Sequence, residues 1–146
     1  MKDYADPRMH TAEHILNQTM VRMFDCGRAF SAHIEKKKSK CDYRFDRPLT
    51  DEETREIQDR VNTVISENKP VTEEFISREE AVERFNLERL PEEAGDRIRI
   101  VRVGDYDACP CIGEHVSITK EIGEFRITTT GFDEGVLRIR FKLGKT

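Results

Sequence analysis

Apolar residues recur at Met9, Ala12, Leu16, Met20 and Met23. Steps of three and four place all five on one face of a helix. Asp6-Pro7 can open that helix, since Asp caps free amides and Pro suits the first position. The pattern predicts a helix over Pro7–Phe24, ended by Asp25-Cys26-Gly27. The period then changes. Cys41, Tyr43 and Phe45 alternate with Asp42, Arg44 and Asp46, as in a half-buried strand. Strands are expected over residues 28–37 and 39–46. Lys36-Lys37-Lys38 between them reads as a solvated hairpin turn, with an RNA-phosphate contact as the alternative.

Thr50-Asp51-Glu52-Glu53 reads as a capping box before a second helix, reaching about residue 67, with Ile57, Val61, Val64 and Ile65 on its apolar face. Lys69-Pro70 stops it, a strand follows over 71–76, and Ser77-Arg78-Glu79-Glu80 opens a short helix to about residue 85. Residues 86–95 read as loop, with Pro91 and Gly95 as breakers. Strands are predicted at 96–103, 124–130 and 136–143, and a loop at 104–112. In the last strand Leu137, Ile139, Phe141 and Leu143 face one way and Arg138, Arg140 and Lys142 the other. The basic side is a solvated face or a seat for an RNA backbone. These elements imply an α+β fold, a largely antiparallel sheet with helices packed on one side.

Composition narrows the field. At 146 residues the chain has the size of one ordinary domain, and 36% hydrophobic residues can fill a core. A formal charge of −4 argues against a general nucleic-acid binder, DNA included, so an RNA contact would need local basic patches. The four cysteines are irregularly spaced and no signal peptide precedes them, which points to a reducing cytoplasm and not a disulfide scaffold. No apolar run is long enough to cross a membrane.

The chemistry centres on histidine. His10 and His14 are spaced i, i+4, one turn apart on a helix and roughly 120° from the centre of the apolar stripe. They flank the core face, as metal ligands or as an exposed helix surface. Two imidazoles do not complete a tetrahedral site. Cys111-Ile112-Gly113-Glu114-His115 offers a Cys-x3-His pair, and together the pairs make a His3Cys set suited to zinc. Cys109 stands two residues before Cys111, and either thiolate could bind. Four protein ligands describe a closed structural site, whereas catalysis needs an open or weak position.

These motifs resemble a known family. His10-Thr11-Ala12-Glu13-His14-Ile15-Leu16 resembles the HTAxHLL opening of the alanyl-tRNA synthetase editing domain and its short free-standing AlaX-type relatives. Cys111-Ile112-Gly113-Glu114-His115-Val116 is similar to their CGGTHV motif, with Ile112 and Glu114 in place of Gly and Thr. Ser31-Ala32-His33-Ile34, Asp42-Tyr43-Arg44-Phe45-Asp46, Val61-Asn62-Thr63-Val64-Ile65, Ile122-Gly123-Glu124-Phe125-Arg126-Ile127 and Gly135-Val136-Leu137-Arg138-Ile139 extend the likeness over nearly the whole chain. The threonyl-tRNA synthetase editing domain shares the histidine and cysteine skeleton, but the closing strands favour the alanyl branch.

The resemblance implies a single editing-like domain over residues 1–146, without the extra N-terminal domain of larger relatives. It implies Zn2+ held by His10, His14, Cys111 and His115, with His10 and His14 central to catalysis. It implies hydrolysis of a wrong amino acid, usually serine, from alanine tRNA in the cytoplasm. His33 is expected at the aminoacyl pocket, or is a plain strand histidine. Glu13 is a water-positioning carboxylate or an exposed helix residue, and Glu114 brings a negative charge beside the metal. The competing readings are a catalytically silent zinc-stabilised module that binds tRNA or a synthetase, and a hydrolase of another aminoacyl ester.

Overall fold

The structure is a computed structural model, and it describes residues 6–85 and 95–144. In chain order the elements are α1 (Pro7–Phe24), β1 (Ser31–Ile34), β2 (Ser39–Arg44), α2 (Asp51–Ser66), β3 (Val71–Ser77), α3 (Arg78–Arg84), β4 (Arg97–Val103) and β5 (Asp107–Pro110). A short 3-10 turn (Thr119–Ile122), β6 (Phe125–Asp133) and β7 (Val136–Leu143) follow. The fold is α+β with antiparallel pairing throughout. The strands divide into two sheets, ordered β1-β2-β7-β6 and β3-β4-β5.

α1 begins as its sequence predicts, with the Asp6 carboxylate accepting from the Arg8 amide and Pro7 in the first turn. It ends at Asp25, whose backbone takes the left-handed conformation at φ 54°. α2 carries the expected capping box: Thr50 accepts from the Glu53 amide while the Glu53 carboxylate accepts from the Thr50 amide. Its Ile57, Val61, Val64 and Ile65 are all buried. Asn62 and Gln58 bond the backbone of edge strand β6 at Phe125 and Ile127, satisfying groups an uncovered edge would leave open. Glu134 and Gly135 both take positive φ between β6 and β7, the geometry that joins twisted antiparallel strands tightly.

The main core lies between the four-stranded sheet and helices α1 and α2. Cys41, Tyr43, Leu137, Ile139 and Phe141 on the sheet meet Ala12, Ile15, Leu16, Met20, Ile57 and Val61. The smaller sheet has its own cluster, Ala81 of α3 against Ile98 and Ile100. By strand alternation the opposite face of β4 and β5 turns toward α1. α1 is therefore covered on more than its apolar stripe, and Thr11, Glu13, His14, Asn17 and Thr19 are buried with it.

Several expectations change. Residues 104–112 were expected as loop but include β5, whose Ala108, Cys109 and Pro110 pair with Arg102, Val101 and Ile100. The strand expected over 28–37 is only Ser31–Ile34, because Arg28 and the Ala29 amide bind side chains of Asp107 and Asn17 instead of a neighbouring strand. The expected loop at 86–95 lies almost wholly outside the described residues. No described helix is long and apolar enough to cross a membrane.

Candidate metal centre

The polar face of α1 carries His10 and His14 one turn apart, and β5 with its following loop brings Cys111 and His115 against them. One ligand atom each from His10, Cys111 and His115 lies within 4.8 Å of the others. His115 Nε2 stands 3.4 Å from Cys111 Sγ. The His10 and His115 rings stack with centroids 5.0 Å apart and planes 11° from parallel. His14 meets His115 edge-on at 4.5 Å and also engages Cys111. Two imidazoles and a thiol, with a third imidazole alongside, are a donor set that fits zinc.

Gly113 makes the approach possible. A Cβ built there would lie 1.9 Å from His10 Cε1, so no other residue fits without moving the ring. Its amide donates to Cys111 Sγ at 3.4 Å. Arg99 holds the loop by donating to the carbonyls of Cys111 and Gly113 at 3.1 and 2.6 Å.

Thr11 sets the orientation of His115. Its hydroxyl lies 3.0 Å from the Pro7 carbonyl, which can only accept, so the hydroxyl proton points there. Its oxygen then accepts from the Val116 amide and from His115 Nδ1, 2.9 Å away. His115 must carry its proton on Nδ1, which leaves the Nε2 lone pair facing the sulfur and any ion.

His14 has a different support. Its Nδ1 lies 3.5 Å from Asp107 Oδ2. Arg28 bonds both oxygens of Asp107 at 2.7 and 3.3 Å, and Gln18 adds a bond at 2.9 Å. Burial would push the Asp107 carboxyl up, but His14 and the Arg28 guanidinium outweigh it and hold the pKa well below the ordinary value. Burial would likewise lower His14, yet Asp107 and the thiols of Cys111 and Cys109 raise it well above its usual range. His115 goes the other way, pushed down to about 2 by burial and by the neighbouring His14, His10 and Arg99 charges. It is neutral, as a ligand must be.

The cysteines separate. Burial raises the Cys109 thiol, and the nearby His14 and Arg28 charges do not cancel it. Burial also acts on Cys111, but the His14 contact and charge and the Gly113 amide bring its pKa below the ordinary value. Cys111 stands in the ligand group and Cys109 does not.

The remaining expected residues scatter. Glu13 is only 3% exposed, so it is not a surface residue of the helix. It accepts from Asn17, whose own oxygen accepts from the Tyr43 hydroxyl and the Ala29 amide. His33 is exposed on β1 opposite Lys40, on the strand face turned from buried Ile34, and does not join the other histidines. Glu114 is exposed on the loop beside Gly113. Sequence reasoning missed Asp107, Arg28 and Thr11. Asp107-Ala108-Cys109-Pro110-Cys111 held one usable signal, since a two-residue period puts Asp107, Cys109 and Cys111 on one face.

Comparison with known proteins gives this arrangement its context. Residues 98–140 match the model of the threonyl and alanyl tRNA synthetase second additional domain. The chain is 34% identical to the alanine–tRNA ligase of Aeropyrum pernix, 32% to that of Methanopyrus kandleri and 34% to that of Fervidobacterium nodosum. These alignments cover 97%, 94% and 90% of this chain but 16% of each ligase, so the chain spans about a sixth of their length. With its antiparallel α+β fold, the chain is thus similar over nearly its whole length to one segment of alanine–tRNA ligases, and it resembles an alanyl-tRNA synthetase editing domain.

Proposed function

We propose that this chain is a zinc-dependent hydrolase that removes serine from mischarged alanine tRNA, acting in trans in the cytoplasm. The observation that carries the proposal is the convergence of His10, Cys111 and His115, with His14 beside them, in a chain so related to alanine–tRNA ligases. Serine is alanine plus a hydroxyl, an analogue that an aminoacylation pocket rejects poorly. A second site that admits the hydroxyl supplies the missing discrimination.

His10, His14, Cys111 and His115 would hold the metal, His115 through Nε2. Bound there, zinc supplies Lewis acidity toward the ester carbonyl or the attacking water. The chain's own groups set the geometry. Thr11 fixes the His115 tautomer, Asp107 faces His14 Nδ1 and leaves the other nitrogen for binding, and Gly113 leaves room for the His10 ring. Glu114 offers a carboxylate to the substrate's ammonium group. In the reaction water adds its oxygen to the ester carbonyl carbon. The bond to the terminal ribose oxygen breaks, and that oxygen leaves as the hydroxyl with a proton from the water.

One feature favours a second reading, a catalytically silent metal-stabilised module that binds tRNA. Four protein donors in one place can close a tetrahedral site. Multiple-turnover hydrolysis separates the two. Zinc-loaded protein is expected to deacylate serine-charged alanine tRNA in excess over itself, to spare alanyl-tRNA, and to lose activity as His14→Ala. Absence of turnover on that tRNA and on serine-charged threonine tRNA would sink the editing proposal.

A further inference from the structure

The chain carries a formal charge of −4, yet its cations are not spread evenly. Helices α1 and α2 pack on the inner face of the four-stranded sheet, and the outer face is left to solvent. On that outer face Lys40 of β2 stands directly opposite Arg140 of β7, and Arg126 of β6 directly opposite Lys142. The exposed Lys36-Lys37-Lys38 turn between β1 and β2 extends the patch at the same end of the sheet. Like charges opposed across a ladder repel each other. The Arg138–Asp42 pair on the same face shows how an acid relieves this, with bonds of 2.7 and 2.9 Å. Among the described residues no acid forms an ion pair with Lys40, Arg140 or Lys142, and Arg126 has only Glu124 at 3.7 Å.

This basic end of the sheet lies beside the start of α1, where the metal centre begins. The Ser39 hydroxyl, next to Lys40, donates to Met9 Sδ at 3.3 Å, and Met9 precedes His10. Arg8, in the same turn, donates to the Gly144 carbonyl just past β7. The metal centre is on the other side of α1, so one helix diameter, about 10–12 Å, separates it from the sheet. Arg140 and Lys142 are alternate residues of one strand, about 6.8 Å apart, close to the step between neighbouring phosphates of a nucleic-acid strand. The exposed large apolar side chains are Phe30, Phe75, Val82 and Ile112, and none is at this end of the sheet. The patch attracts negative charge and offers nothing for a base to stack on or for a lipid chain to receive.

We propose that this outer face docks the base-paired arm of the tRNA by its phosphate backbone, while the unpaired end passes round the start of α1 to the metal centre. The assignment rests on the editing reading, because that reading places the ester at that centre. A phosphodiester backbone is a polyanion with charges at the spacing of the cation rows, and its binding removes the repulsion that Lys40 and Arg140, and Arg126 and Lys142, bear in the free sheet. The groups presented are cations, so the face supplies affinity and position and reads no bases. It also reconciles an acidic chain with an RNA substrate. One end of one sheet is positive, and the rest of the surface carries the excess of acids and repels RNA that arrives in any other orientation.

The test measures binding of uncharged alanine tRNA to the zinc-loaded protein by fluorescence anisotropy, from about 50 to about 200 mM salt. Steady-state deacylation of serine-charged alanine tRNA runs alongside. Two variants, Lys40→Gln/Arg140→Gln and Arg126→Gln/Lys142→Gln, each remove one opposed pair. Each should weaken binding at low salt at least about tenfold, and lower the slope of log affinity against log salt by about 2. KM for the charged tRNA should rise in step, with kcat kept. Both variants should unfold in urea no earlier than the parent, because they relieve repulsion. Arg55→Gln/Arg60→Gln, exposed on α2, removes the same charge elsewhere and should bind tRNA nearly as the parent does. Pair variants that lose no more affinity than this control overturn the docking face, and so does a parent that binds vesicles of anionic phospholipid but not tRNA. Binding lost in both pair variants, with no deacylation by the parent, sustains the face and overturns the editing reading. Deacylation with binding unchanged in both does the reverse.

Discussion

In the four-stranded sheet Cys41, Tyr43, Leu137, Ile139 and Phe141 are fully buried on one face, and Lys40, Arg138, Arg140 and Lys142 alternate with them on the other. In the three-stranded sheet Ile98 and Ile100 make a smaller apolar cluster on one face with Ala81 of α3. The other face sets Asp107, Cys109 and Cys111 against the histidines of α1. The larger sheet buries hydrocarbon and leaves charge in water, which stabilises at little cost. The smaller one buries charge, and that is tolerable only because each charged group has a partner. Arg28 and His14 flank Asp107, and Gln18 bonds it. The larger sheet carries the main core, and the polar one carries the candidate metal centre.

Removing a large side chain from the first sheet should show the biggest effect. Phe141→Ala is expected to cost about 3–5 kcal/mol in urea unfolding, the usual range for a buried aromatic. A loss under 1 kcal/mol would mean that this core is not the main source of stability. Next comes Asp107→Asn, which leaves half-buried Arg28 without its anion. The cost should be about 2 kcal/mol, below the full value for a buried pair because the Arg28 side chain is 28% exposed. The same change should weaken zinc binding about 10–100-fold in a chelator competition, since Asp107 orients His14. Unchanged affinity would remove Asp107 from the metal centre.

Gly113→Ala should separate the two functions of the molecule. Zinc affinity should fall at least about tenfold, because the new methyl occupies the space of the His10 ring, while metal-free stability changes little. Thr50→Ala should do the reverse. It removes a cap on α2 and costs about 1 kcal/mol, with zinc affinity unmoved. The smallest effect belongs to the outer face of the large sheet. The Asp42 carboxylate is held below its ordinary pKa by the Arg138 hydrogen bond and charge. Its contribution is complete above about pH 4 and is lost as pH falls through the lowered folded value. Asp42→Asn should flatten the acid limb of a stability profile by about 0.5 kcal/mol or less, since the pair faces solvent.

Much of the fold was legible before the structure. Pro7–Phe24, the Thr50 capping box and the alternation in Val136–Leu143 are local signals, and each formed where its period predicts. His10, Cys111 and His115, which the fold brings together, stood out in the sequence as well, because histidine and cysteine at these spacings are unusual. The supporting shell was not. Asp107 lay in a stretch read as loop, and it acts on a histidine 93 positions away along the chain.

The amino-acid sequence by itself determined which residues line each helix and strand face, because side-chain direction follows from the local backbone period. It also supplied the candidate donors, His10, His14, His115 and a cysteine at 109 or 111. The tertiary structure alone decided what covers each face. It buried the polar side of α1 under a second sheet, chose Cys111 over Cys109, turned His33 outward, and opened a cavity beside Gly113. The reason is physical. A period says that a face is polar, but whether water or another polar strand meets that face depends on packing between segments far apart in the chain.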